Sequence, residues 1–159
     1  MAISVRALPS LTAVRIIASV DDAIDQAASD VAAYKESGDE AKLVFLPGKT
    51  PTVFLCNFQL DAKAARIVNN AMLSARGDDG KPSMAFGTWA QTIAKVTLKE
   101  IVAPDDQPDD QRIQLRKDSV GYAADETLAV LERFGIIDDI FAIYLALQKK
   151  TKTAADAKN

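Results

Sequence analysis

Residues 41–58 read AKLVFLPGKTPTVFLCNF, and the rest of the chain is arranged around them. Two apolar runs, Leu43–Leu46 and Thr52–Cys56, flank the punctuation Pro47-Gly48-Lys49-Thr50-Pro51. β-branched and aromatic residues on either side of a Gly/Pro turn predict strand, turn and strand. Helical patterns precede and follow this stretch, so it is the densest β signal in the chain.

The same turn carries Gly48-Lys49-Thr50, the tail of a phosphate-binding loop. That loop needs a glycine five positions before its second glycine, so that backbone amides can turn inward, and a helix must follow it. Leu43 stands in the glycine's place and Pro51 comes at once after Thr50, leading into another β-like run. The reading is therefore an exposed turn with a solvated lysine and no nucleotide site.

Working outward, Thr12–Ile17 predicts a first strand. Ser19-Val20-Asp21-Asp22 has the form of a capping box, with acids suited to the positive end of a helix dipole. Ala23, Ile24, Ala27, Ala28, Val31 and Ala32 recur at helical spacing, predicting a helix that runs through Tyr34 and stops at Gly38. On the other side, Asp61 is placed to cap a helix over 62–75 whose stripe is Ala64, Ala65, Ile67, Val68, Ala71 and Met72. Ser83 starts a third helix, 84–94, with Phe86, Trp89 and Ile93 on a core-facing side.

Residues 96–102 and 112–116 alternate apolar and polar, predicting a second hairpin with Arg112, Gln114 and Arg116 on its polar side. Between them Pro104-Asp105-Asp106-Gln107 is repeated as Pro108-Asp109-Asp110-Gln111. Its carboxylates are the right ligand type for a hard cation, but the glycine and distal glutamate of a calcium loop are missing, so no metal is assigned. Helices are predicted over 123–134 and 136–147, separated by Gly135. The expected whole is one small α+β domain over 1–150, two β-hairpins packed against about five helices, with a flexible tail over 151–159.

Composition narrows the chemistry. Apolar residues make up 48% and charged residues 26%, the balance of a globular domain, and a net charge of −3 argues against a general nucleic-acid binder. Charge is unevenly placed: eleven acids and four bases between Glu100 and Ile140 give −7, while the segment after it carries +3. There is no histidine, which removes the commonest general base, and the one cysteine, Cys56, lies in an apolar run as a small buried hydrophobe. The acid pairs Asp21-Asp22, Asp78-Asp79 and Asp138-Asp139 fall in loops or helix starts, where capping and solubility account for them. Arg76-Gly77-Asp78 is a loop triplet without an adhesion role, because the start of the chain lacks the pattern of a secretion signal. No catalytic residue and no cofactor is assigned, and synthesis in the cytoplasm is expected.

The last helix is unusually apolar. Ile137, Ile140, Phe141, Tyr144, Leu145 and Leu147 cover more of its circumference than one core-facing stripe requires. Leu147 falls well round from Ile140 and Tyr144, so some apolar surface is expected outside the monomer's core; the alternative is a helix sandwiched wholly within the domain. Ile137, Phe141, Leu145, Leu147, Lys149 and Lys150 are therefore the candidate interface residues.

Taken together, KLVFLPGKTPTVF (42–54) running into a helix, VTLKEIV (96–102), the acidic loop and ETLAVLERFGIIDDI (126–140) resemble small proteins from the structural and tail-assembly gene clusters of tailed bacteriophages and prophages. The resemblance spans residues 41–147 as a pattern and carries over no functional residue. It implies a protein made in the bacterial cytoplasm that works by binding, as a virion component or assembly chaperone. Its partners would be other phage structural subunits or further copies of itself, not nucleic acid or membrane. Two alternatives stay open: a small enzyme or ligand-binding protein using carboxylates between hairpin and helices, and a host protein-interaction module.

Overall fold

The computed structural model describes residues 11–76 and 86–156. Among these, three short strands form one antiparallel sheet in the order β1-β2-β3: β1 is Val14–Ile17, β2 Val53–Cys56 and β3 Leu98–Val102. Five helices pack around it: α1 Val31–Ser37, α2 Ala62–Ala75, α3 Phe86–Thr97, α4 Asp125–Arg133 and α5 Ile136–Asp156. The chain is an α+β domain, with helices laid against a small antiparallel sheet.

The anticipated first hairpin does not form. β2 is a strand as expected, but its two edges are taken by β1 and β3, with Phe54 opposite Ile16 on one side and Ile101 on the other. Leu43–Leu46 finds its backbone partners upstream instead. The amide of Asp25 donates to the Val44 carbonyl at 2.8 Å and that of Leu46 to Ala23 at 2.8 Å, leaving a single bridge between Ile24 and Phe45. Ser29 completes the seam, its hydroxyl accepting from the Val44 amide at 2.8 Å. With these groups satisfied locally, Leu43–Leu46 has no need of the sheet.

The same segment explains why the helix expected from Ser19 begins late. Residues 23–30 are committed to the 43–46 seam, and α1 starts only at Val31, where Asp30 accepts from the Ala33 amide at 3.0 Å. It ends as predicted at Gly38, which adopts φ 68° and donates to the Tyr34 carbonyl at 2.7 Å. α2 has the predicted bounds, with Asp61 accepting from the Ala64 amide at 2.8 Å.

The second hairpin is also absent. α3 runs through Thr97 directly into β3, shortening the expected strand, and β3 pairs with β2. Residues 112–116 bind the start of α4: the Thr127 hydroxyl accepts from the Arg116 amide at 2.9 Å, and the Arg116 carbonyl accepts from Ala124 at 2.8 Å. The expected start of α3 at Ser83 lies outside the described residues.

α5 threads one continuous core that joins sheet and helices. It presents different neighbours on different sides. Phe141 meets Trp89 of α3 edge to face at 4.9 Å between centroids, and Tyr144 meets Phe58 in the same geometry at 5.2 Å. Ile143 and Leu147 lie against Gly38 at the end of α1. Most of this broad apolar circumference is thus used up within the chain, with Leu145 left exposed. The helix continues through Asp156, beyond the tail boundary expected at residue 150.

Candidate docking surface

Of the six residues expected at an interface, Ile137, Phe141 and Leu147 are buried in the chain's own core. For Leu147 this corrects the outward placement, because α1 closes over the side of α5 that the sequence left open. Leu145, Lys149 and Lys150 are exposed. The expected patch is therefore divided, and α5 offers outward one leucine followed by lysines.

A larger feature lies at the opposite end of α5. A groove of about 510 Å³ opens between the 48–52 turn, the 20–23 segment after β1, the acidic loop and the α4–α5 junction. Its floor is apolar, built from Phe54, Ile113 and Ile136, and its walls carry Val20 and Phe134, which are 62% and 51% exposed. A second hollow of about 500 Å³ adjoins it, and Gln111, Ile113 and Phe134 border both. Phe134 is thus a ridge between two depressions. Covering a fully exposed side chain of this kind is worth about 1.5–3 kcal/mol, and roughly half of that for a half-exposed one.

The rim of the larger groove is acidic, with Asp21, Asp22 and Asp106 against Lys49. Asp21 is engaged in building the wall: its two oxygens accept from the Ala23 amide at 2.9 Å and the Thr52 amide at 3.0 Å, tying the 21–23 turn to the foot of β2. Lys49 is exposed, and its amide points back into the turn, donating to the Leu46 carbonyl at 3.1 Å. Leu43, where a phosphate cradle would need glycine, is buried in the core. The turn is not built to cradle phosphate.

The acidic loop is organised by an arginine. Arg112 donates from Nε to the Gln107 carbonyl at 2.9 Å and from one terminal nitrogen to the carbonyls of Pro104 and Asp105 at 3.3 and 3.1 Å. Asp109 and Asp110 begin a single 3₁₀ turn beside it. Among the described residues, no three acidic or cysteine side chains gather as a metal site, and no helix is long and apolar enough to cross a membrane. Cys56, at the end of β2, is buried, and burial pushes its thiol up to about 12, which keeps it protonated and unreactive at neutral pH. Asp78 and Asp79 lie outside the described residues.

Reading the sequence did not single out Val20, Ile113 or Phe134. Phe134 closes a helical stripe just before Gly135, a position that reads as core, yet it is the C-cap of α4 and turns outward. Isolated exposed apolar side chains have no periodicity to reveal them. No family model, no curated protein and no solved structure matches the chain.

Proposed function

We propose that this chain is a non-catalytic structural or assembly protein of a tailed bacteriophage, in the tail or head–tail region, and that it acts by docking to other subunits. The docking part of the reading is carried by one observation: the groove ridged by half-exposed Phe134, whose floor is apolar and whose Asp21 is occupied in holding the walls together. Exposed apolar surfaces rimmed by polar residues mark interaction sites. The phage part is supported by the sequence pattern over residues 41–147 alone.

The reading is tested on particles. Virions and assembly intermediates from cells producing this chain are separated on a density gradient and analysed by mass spectrometry. The chain is expected in the particle fractions or in complex with a tail or head–tail subunit. Its confinement to the free-protein fraction throughout assembly would remove the assignment.

A further inference from the structure

Charge is unevenly placed in the fold as well, with aspartates of the 20–23 segment and of the acidic loop meeting at one groove. Ile136, the first residue of α5, lines the groove, so the acidic rim of Asp21, Asp22 and Asp106 lies at the helix's amino-terminal end. At the far end, Leu145, Lys149 and Lys152 recur at intervals of four and three residues and are all exposed, so they form one stripe. From Ile136 to Lys152 the helix rises about 24 Å, at 1.5 Å per residue. A rigid helix of that length keeps the stripe away from the groove of its own chain.

We infer that the groove takes the carboxy-terminal part of α5 from a second copy of this chain, with Leu145 against Phe134 and Val20 and the lysines against the acidic rim. This inference rests on the docking reading above and names the partner. The complementarity is of both kinds: an apolar side chain meets an apolar ridge, and two lysines meet a rim of three aspartates and one lysine. Such pairing steers encounter and fixes register. Because the two surfaces are different and lie at opposite ends of one helix, each copy that docks leaves one of each free. The contact is heterologous and builds rings or open chains instead of closing at a dimer.

The chain is examined by sedimentation velocity over a hundredfold concentration range, at low and high salt. Species larger than dimers are expected to grow with concentration and to recede in high salt, as rim charges are screened. Phe134→Asp, which spoils the groove, and Leu145→Asp, which spoils the stripe, should each weaken association by at least about tenfold, as for a central contact. Mixed together, they should form a one-to-one complex that stops there, since one good groove and one good stripe remain. If circular dichroism shows that Leu145→Asp has lost its fold, Lys149→Glu with Lys152→Glu takes its place. A wild-type chain that stays monomeric at every concentration in low salt would overturn the inference, as would oligomers that survive both variants or variants that fail to complement. A monomeric chain still found in particles would leave the docking reading standing with another subunit as partner.

Discussion

Asp139 and Ser19, one hundred and twenty residues apart, are joined by two hydrogen bonds: the Ser19 amide donates to Asp139 Oδ2 at 2.8 Å and the Ser19 hydroxyl to Oδ1 at 3.1 Å. Asp139 is almost wholly buried in the first turn of α5, and the Lys35 ammonium of α1 stands 3.5 Å from its Oδ1. This carboxylate holds the exit of β1 against both helices and so fixes one wall of the groove. Asp139→Ala strands a part-buried amide and removes a charge-assisted pair, and is expected to cost about 2–4 kcal/mol. Ser19→Ala keeps the amide bond and should cost about 1 kcal/mol. Urea unfolding of the two single variants and the double variant gives the coupling, expected to be positive.

Gly38 is held in the left-handed region, and a methyl group there would meet Ile143 Cγ2 at 2.9 Å. Gly38→Ala therefore combines about 1–2 kcal/mol of backbone strain with displacement of α5. A loss of at least about 2 kcal/mol in denaturant unfolding is expected. Leu147→Asp, one turn further along the same contact, should unfold the isolated chain, because it buries an unpaired charge. A folded Leu147→Asp monomer would place that residue outside the core.

How far the sequence discloses this fold depends on the range of the interactions involved. α2 and the stop of α1 are legible to the residue, because Asp61, the apolar stripe and Gly38 act on backbone within one turn of themselves. β2 is legible as a strand but its partners are not. Leu43–Leu46 and Arg112–Arg116 have strand-like patterns, yet their backbone groups are satisfied by Ala23–Ser29 and by the start of α4. Asp139 reads as a solvated helix-start acid, and only the approach of Ser19 and Lys35 makes it a buried anchor. The groove is assembled from four separated segments, which no local pattern announces.

Burial sets an alkaline limit on stability. It pushes the Tyr34 hydroxyl from 10.0 to about 12, against the opposing effect of the Ile17 amide that donates to it, and pushes Cys56 from 9.0 to about 12. Below the unfolded values neither group ionises in either state, so neither affects stability. Above them the unfolded chain releases protons that the native chain keeps, and stability falls as pH rises towards about 12. Urea midpoints measured from about pH 8 to about pH 11 should decline, and Tyr34→Phe should decline less steeply. At neutral pH Cys56 should resist alkylation until the chain is unfolded.

Because Arg112 organises the acidic loop, that loop should not need a cation. Calcium or a chelator is expected to leave the melting temperature unchanged, whereas a rise of several degrees with calcium would reveal binding to the folded state. Lys49→Ala should change stability by no more than about 0.5 kcal/mol, as for other exposed side chains. Loss of a measurable ATP or GTP affinity in that variant would contradict the reading of its turn.

The claim that this chain works by docking through its groove is tested most directly by supplying Phe134→Asp in place of the wild-type chain during particle assembly. Phe134 is half exposed, so the variant should keep its circular dichroism spectrum and its unfolding midpoint. The account predicts a folded chain that is missing from particles and assembly intermediates, or greatly reduced in them, when their protein content is measured by mass spectrometry. A folded Phe134→Asp chain incorporated at the wild-type level would contradict it.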